Sequence, residues 1–339
     1  MSKVKLKFID LFAGVGGMRI AFERNNCDCV FSSEWDAFSQ KTYFENFGEM
    51  PDGDITQIDE KKIPNHNILI GGFPCQPFST IGKREGFEHP TQGTLFFDIV
   101  RILKEKKPAS FLLENVAGLV NHDGGKTFKQ ILSTLENELG YWVRAKKLDS
   151  ADYGVPQHRK RIYIVGFNKE ISEKKNFSFR WPEKNVEKVG VGQFVETHEE
   201  GYTISKHLQK SYIYKKDDGR PQVINKDSDI QVKTLVSTYH KIQRLTGTFV
   251  EDGKTGLRLL SENECKAIMG FPKDFKFPVS RTQMYRQMGN SVAIPVVQKI
   301  AEEITNTLKR KKKKSSNVSY ENSIGVYNRE KAPTLFNEP

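Results

Sequence analysis

The sequence of 339 residues carries a formal net charge of +11 and contains four cysteines. Its length allows one large or two moderate domains with a sizeable core. No apolar stretch approaches the roughly 18 residues of a membrane span and no signal peptide is evident, which together predict a cytoplasmic chain with no membrane association. The cysteines show no zinc-ligand spacing, so reduced thiols and no metal site are expected. The basic excess fits a polyanionic partner, although residues 309–314 supply six of the charges.

The first elements in the chain are predicted to be a strand over residues 4–12, a glycine turn over 13–17 and a helix over 18–25. The turn contains Gly14, Gly16 and Gly17. Such a turn lets the backbone approach a ligand closely, because glycine has no Cβ. Arg19 stands where a dinucleotide-binding fingerprint needs its third glycine, so a pyrophosphate site is the weaker interpretation. A glycine turn without any ligand remains an alternative.

A second strand is predicted over residues 29–32, and Glu34 follows at its end. A carboxylate at this position can accept hydrogen bonds from ribose hydroxyls. Trp35 beside it is a candidate for stacking on a purine or on the edge of a sulfonium. Asp54, next to Ile55, is a candidate partner for an adenine amino group. The alternative for both acids is an ordinary solvated position in a loop.

The apolar run at residues 68–70 predicts a buried strand that ends at two glycines. Pro74 then biases the chain away from helix, so Cys75 is presented where the strand passes into a loop. Ligands of open α/β sheets bind at this edge. A free cysteine is often only a small buried apolar side chain. The alternative is a nucleophile whose thiolate is favoured by nearby N–H groups and cations.

Two further polar clusters lie beside predicted strands. Glu114 follows the apolar run 111–113, and Arg159 and Arg161 precede the run 162–165. Three such clusters in one chain predict a single site. The alternation of strands and helices over the first 170 residues predicts a doubly wound, mostly parallel sheet.

The segment after Cys75 is a long polar loop with several glycines, which predicts a functional lid. Lys83 and Arg84 are candidates for phosphate contacts, and Ser79 or Ile81 for a wedge into a duplex. From about residue 170 helical periodicity fades, and residues 176–284 are predicted to form a smaller, irregular, β-rich domain.

The densest polar stretch of this second region lies at residues 234–244. Lys241, Gln243 and Arg244 carry donors suited to guanine edges or phosphates. The alternative, that these are ordinary solvated strand residues, stays open because most contacts position a nucleic acid without reading its sequence. Ser261 and Glu264 predict a capping box at the start of a later helix. Residues 309–339 predict a basic disordered tail.

Five segments stand in the order found in DNA (cytosine-5) methyltransferases: DLFAGVGG at 10–17, GFPCQ at 72–76, ENV at 114–116, QHRKR at 157–161 and QMGNSV at 287–292. The chain resembles the compact bacterial restriction–modification form of this family over roughly residues 5–308. The resemblance implies a catalytic, cofactor-binding domain formed by residues 1–175 and 285–308. It also implies that residues 176–284 recognise the target, with the Thr234-Leu235 pair among them.

The resemblance further implies S-adenosyl-L-methionine as the methyl donor and S-adenosyl-L-homocysteine as the product. Phe12 would stack on adenine, with Pro74 and Asn290 nearby. Cys75, activated by Arg159 and Arg161, would attack carbon 6 of a flipped cytosine while Glu114 binds the ring. Gln92 stands where the family has an arginine, which places one contact of the lid in question.

The implied partners are double-stranded DNA and a cognate restriction endonuclease that forms no stable complex with the chain, which is expected to be a monomer. An RNA cytosine methyltransferase and a non-catalytic DNA-binding relative are the alternatives. An NAD-linked oxidoreductase is disfavoured by Arg19. The recognised DNA sequence, and the cytosine modified within it, stay open.

Overall fold

The computed structural model describes residues 5–74, 95–175, 178–185, 187–197 and 200–309. The predicted nucleophile Cys75, the predicted lid and the predicted basic tail beyond residue 309 lie outside these ranges. The same holds for the site candidates Ser79, Ile81, Lys83, Arg84 and Gln92.

A six-stranded sheet forms the centre of the described structure. Its strands are β1 (Leu6–Leu11), β2 (Cys27–Ser33), β3 (Ile68–Gly72), β4 (Ser110–Val116), β5 (Tyr141–Asp149) and β6 (Lys160–Asn168), in the spatial order β2-β1-β3-β4-β6-β5. The pairs among β1 to β4 are parallel, whereas β6 is antiparallel to both β4 and β5. The link from β5 to β6 contains no crossover helix, and so short a connection suits antiparallel neighbours. The predicted mostly parallel sheet is confirmed.

Nine α-helices accompany the sheet in the described ranges: α1 (Gly17–Glu23), α2 (Ala37–Phe47), α3 (Phe96–Lys106), α4 (Lys126–Ser133), α5 (Lys169–Lys175), α6 (Lys206–Leu208), α7 (Glu262–Met269), α8 (Arg281–Asn290) and α9 (Ile294–Lys309). None of these described helices has both the length and the apolarity that a membrane crossing requires. The predicted capping box of α7 is present: Ser261 accepts from the Glu264 N–H, and the Glu264 carboxylate accepts from the Ser261 N–H.

Alternate residues of the central strands pack into two different hydrophobic clusters. Ile68 and Ile70 of β3 belong to one cluster together with α1 and α9, whereas Leu69 belongs to the other with α3 and α4. Successive side chains of a strand point to opposite faces, so the sheet has a helical layer on each face. This arrangement is the predicted doubly wound one.

The region predicted to be β-rich contains fewer strands than expected in its described part. β7 (Gln222–Ile224) and β8 (Thr248–Val250) form one parallel pair, and irregular segments make up most of the remainder. Many backbone groups there bond to side chains instead of a strand ladder, as when Gln222 Oε1 accepts from the Lys233 N–H at 3.0 Å. The region also shares one continuous hydrophobic cluster with the α9 face of the sheet. The predicted boundary between residues 284 and 285 falls inside α8, which Ser280 caps.

Candidate active site

A cavity of about 380 Å³ opens where the carboxyl ends of β1, β2, β3 and β4 meet. Because β6 runs antiparallel to β4, the amino end of β6 lies at the same edge and delivers Arg159 and Arg161. The end of α8 closes the cavity from the side through Asn290 and its neighbours. The sheet therefore brings the predicted Glu114 cluster and the predicted Arg159–Arg161 cluster together around one space, beside Pro74, the last described residue before Cys75.

The glycine turn after β1 organises the Glu34 carboxylate. The Gly14 N–H donates to Glu34 Oε2 at 2.8 Å, and the Asp36 N–H donates to Glu34 Oε1 at 2.8 Å. A Cβ on Gly17 would lie 2.6 Å from Ser291 Oγ, so the turn packs closely against the segment after α8. Burial raises the pKa of Glu34 despite the two amides. The carboxylate is held rigidly and keeps acceptor capacity for a ligand.

Asp10 lines the cavity and is not among the site residues predicted from sequence. Its side chain is buried on β1, and neither carboxyl oxygen has a partner at normal hydrogen-bond distance among the described residues, although the Arg19 backbone N–H lies near enough to oppose the shift in its pKa. Burial raises the pKa of Asp10 to about 8, against the attraction of Arg19. Buried polar groups are seldom left unpaired in folded proteins. An unpaired carboxyl group beside a cavity therefore indicates that a bound ligand supplies its partner. The sequence signal that could identify Asp10 as a site residue is its position at the start of the DLFAGVGG motif.

The predicted cofactor residues divide into two groups by position. Those that line the cavity are Phe12, Gly14, Gly17, Glu34, Trp35, Pro74 and Asn290. Gly16, Asp54 and Ile55 do not line it. Gly16 packs against the Phe47 ring, Ile55 is buried in the core, and exposed Asp54 caps a short 3₁₀ turn by accepting from the Thr56 N–H. Their assignment as cofactor contacts stays a prediction.

Glu114 and Arg161 form an ion pair at the other end of the cavity. The Arg161 Nε lies 3.0 Å from Glu114 Oε1, and both side chains are largely buried. Gly72 is the register partner of Glu114 on β3, and a Cβ there would lie 3.4 Å from Glu114 Oε2. Burial raises the pKa of Glu114, while Arg161 and Arg159 oppose that shift. A carboxyl group tuned in this way can hold or share a proton with a bound ring.

Arg159 has different partners from Arg161. Its Nη1 donates to the Leu235 carbonyl at 3.0 Å, and its Nη2 donates to the carbonyls of Gly289 and Ser291. Burial and the neighbouring Arg161 lower the pKa of Arg159 to about 9. Its Nε has no partner among the described residues. Arg159 thus ties the start of β6 to the 234–244 segment and to the end of α8.

Asn115 is a second residue whose role the sequence did not reveal, although it stands inside a recognised motif. It is buried, and its Nδ2 donates to the Phe73 carbonyl at 2.8 Å. This bond fixes the chain two residues before Cys75. Gln157 acts similarly, accepting from the Leu235 N–H at 2.7 Å and donating to the Ile268 carbonyl.

Two of the predicted DNA-contacting side chains lie in the interior. Leu235 is 3% exposed, and its backbone is held by Gln157 and Arg159. Arg244 is 7% exposed and pairs with Asp218, so its donors face the protein. Neither side chain faces solvent in this structure, and their contact with DNA stays a prediction. Thr234 and Gln243 are partly exposed and Lys241 is exposed.

Known proteins resemble this chain over most of its length. The model of the C-5 cytosine-specific DNA methylase family matches residues 6–306. The chain is 58% identical over 315 residues to Type II methyltransferase M.MspI of Moraxella sp, covering 93% of this chain and 74% of that protein. It is 56% identical over 299 residues to Type II methyltransferase M.BsuFI of Bacillus subtilis, covering 88% of this chain and 72% of that protein.

Solved structures share the fold at low sequence identity. A DNMT2 mutant of Spodoptera frugiperda superposes with a TM-score of 0.71 at 22% identity, covering 90% of this chain and 99% of that one. The Dnmt2 methyltransferase of S. pombe gives a TM-score of 0.72 at 20% identity, covering 90% of this chain and 100% of that one. Because the family model spans most of the sequence and relatives above half identity cover nearly all of it, the chain belongs to the C-5 cytosine-specific DNA methylase family.

Proposed function

We propose that this DNA cytosine-5 methyltransferase holds S-adenosyl-L-methionine at the glycine turn of its cavity and the target cytosine beside Glu114. The observation that carries the proposal is the cavity itself. One end has the carboxyl groups of Asp10 and Glu34, and the other has the Glu114–Arg161 pair. A donor and an acceptor bound at the two ends would meet within one cavity, which makes their reaction effectively intramolecular.

The residues at the first end fit a cationic nucleoside cofactor. Asp10 offers a buried carboxyl group without a partner among the described residues, which suits the positive charge of S-adenosyl-L-methionine. Glu34 offers oriented acceptors for ribose hydroxyls, and Phe12 and Trp35 offer aromatic faces for adenine. When bound, the cofactor supplies an electrophilic methyl group. S-adenosyl-L-homocysteine would remain as product.

The residues at the second end fit activation of a cytosine. In this proposal the Cys75 thiolate adds to carbon 6, and the ring electrons make carbon 5 a nucleophile. Glu114 holds a proton against N3 and the amino group as negative charge develops there, which its raised pKa favours. After methylation, carbon 5 loses its proton to water and the bond between sulfur and carbon 6 breaks. Asn115 keeps the backbone before Cys75 in place through Phe73.

The base must leave the helical stack to enter this cavity, so base flipping is part of the proposal. Residues from 176 to the start of α8 would recognise the duplex, with Lys241, Gln243 and Thr234 as candidate contacts. The lid residues Ser79, Ile81, Lys83 and Arg84 remain candidates for closing over DNA. We keep the predicted division into two domains, and we move its second boundary from residue 285 to the start of α8 at Arg281.

The biological setting follows from the relatives, which are named as Type II methyltransferases. We propose that the chain methylates a short double-stranded site and thereby protects host DNA from a cognate restriction endonuclease. It would act in the bacterial cytoplasm as a monomer, without a stable complex with the nuclease.

The test is to incubate the purified protein with the radiolabelled methyl donor and either duplex DNA or tRNA. Digestion to nucleosides followed by mass spectrometry should find 5-methylcytosine in the DNA. Label found only in the RNA would overturn DNA as the substrate, and no label in either would favour a non-catalytic DNA-binding relative. Bisulfite sequencing of DNA from cells expressing the protein then gives the recognised site.

A further inference from the structure

Arg244 joins two segments of the recognition region that are far apart in sequence. Its Nε donates to the Ile213 carbonyl at 2.9 Å, and its Nη2 donates to the Lys216 carbonyl at 2.8 Å. Both Nη atoms also pair with the Asp218 carboxylate. The Arg244 backbone N–H donates to Tyr212 Oη at 3.3 Å. Every nitrogen of this residue is therefore committed to the 212–218 segment.

The side chains around this junction face solvent and carry mostly positive charge. Tyr214 is 53% exposed and Leu245 is 57% exposed. Lys215, Lys216 and Lys241 are exposed as well. The opposing acids of the two segments are Asp217, which is exposed, and Asp218, whose pKa is lowered by the Arg244 guanidinium. Lysines beside exposed aromatic and apolar side chains are the composition of a nucleic-acid contact surface.

We propose that the Arg244–Asp218 pair is a positioning device for DNA binding. It holds Lys215 and Lys216 on one segment beside Lys241 and Leu245 on the other, so that both segments contact the duplex together. Neither member of the pair touches DNA in this account. The proposal rests on the proposed function, because DNA is taken as the substrate.

The donors of Arg244 face the protein, which distinguishes a positioning role from direct contact with DNA. A guanidinium that met DNA phosphates would need free donors, whereas these donors are spent on carbonyls and a carboxylate of the chain. The Asp218 charge opposes DNA electrostatically, so its place at this basic surface favours a role in the protein's own geometry over a role in DNA contact. The 244 segment is also continuous with Leu235, which Arg159 holds at the cavity.

The experiment compares the wild-type full-length protein with Asp218→Asn and Arg244→Gln. The KM for duplex DNA should rise about tenfold in both, because the lysines lose their common placement. The kcat at saturating DNA and the Kd for S-adenosyl-L-methionine should stay within about twofold, since the cavity is untouched. If Arg244 contacted DNA directly, Asp218→Asn would instead lower the KM for duplex DNA. Removing a repulsive charge and freeing Arg244 would then tighten DNA binding.

A double-mutant cycle gives the second measurement. Replacing Lys215 and Lys216 together by alanine should weaken DNA binding and reduce the salt slope by up to about two. The same replacement in the Asp218→Asn background should cost much less, because the lysines are already misplaced. An unchanged or lower DNA KM for Asp218→Asn, or additive effects in the cycle, would overturn the proposal. Failure of the proposed function is distinct, since wild-type protein would then not methylate DNA.

Discussion

The active cavity and the recognition region both bury charged side chains, but they satisfy them differently. In the recognition region the fully buried Arg258 bonds to Asp252, to Glu264 through two nitrogens, and to the Glu196 carbonyl. Along the cavity, polar atoms without a partner among the described residues occur on Asp10, Arg159, Gln283 and Gln287. His240 is the single such case between residues 178 and 280, within the described ranges.

The number of internal partners therefore distinguishes two roles for a buried charge in this chain. A charge whose partners are all internal stabilises an irregular region that has few strands to hold it together. A charge left partly unpaired beside a cavity costs stability and is retained for a ligand. Glu114 combines the two, since Arg161 pairs with one oxygen while the carboxylate still faces the cavity.

The largest effect is expected for Glu114→Gln. The amide cannot share a proton with the ring, so the single-turnover rate of methyl transfer should fall by roughly 10²- to 10⁴-fold. The Kd for the cofactor, measured by calorimetry, should stay near the wild-type value because the other end of the cavity is unchanged. A rate within tenfold of wild type would remove Glu114 from the mechanism.

Glu264→Gln should act on stability instead of chemistry. It leaves the buried Arg258 without its main counter-charge, which costs about 3–5 kcal/mol when one partner of a buried pair is removed. Urea unfolding measures the loss. Glu262→Gln on the same helix is the matched control, because the Glu262–Lys266 pair is partly exposed and should contribute less than about 1 kcal/mol. Equal losses in both variants would contradict the distinction between the regions.

Asp10→Asn should stabilise the cofactor-free protein in a pH-dependent way. The folded pKa of Asp10 is raised to about 8 from an ordinary value of 3.8, so the unfolded chain releases this proton first. The contribution of Asp10 to the stability of the wild-type protein is fully present below pH 4 and is lost as the pH rises toward 8. The variant should therefore gain up to about 1.4 kcal/mol per pH unit between pH 5 and 8. If the free energies of unfolding of the two proteins changed in parallel with pH, the pKa of Asp10 would not be raised in the folded protein.

The smallest effect is expected for Glu34→Gln, which should raise the cofactor Kd about tenfold by weakening bonds to ribose hydroxyls. Isothermal titration of the folded variant measures it. Asp54→Asn serves as the comparison and should change the Kd less, because Asp54 lies outside the cavity lining. If Asp54→Asn had the larger effect, the sequence-based assignment of Asp54 to adenine would stand and the cavity boundary would need revision.

The sequence predicts the sheet, and it predicts one shared site because Glu114 follows one apolar run and Arg159 and Arg161 precede another. It does not predict the antiparallel direction of β6, which depends on the short link after β5. Arg159 and Arg161 look equivalent in sequence, yet one binds carbonyls and the other a carboxylate. The burial of Leu235 and Arg244 cannot be predicted from sequence, because irregular segments lack the periodicity that separates buried from exposed positions. Asp10 is not predicted from sequence, because only the three-dimensional structure shows that its buried carboxyl group lacks a close hydrogen-bond partner.

Covalent trapping shows whether Cys75 is the nucleophile that attacks the cytosine. A duplex with 5-fluorocytosine in the recognised site is incubated with the protein and S-adenosyl-L-methionine, and the complex is digested and mapped by mass spectrometry. Fluorine at carbon 5 cannot leave as a proton does, so the account predicts a denaturant-stable adduct that joins the methylated base to the peptide containing Cys75. No adduct with DNA that is otherwise methylated, or an adduct through another residue, would contradict it.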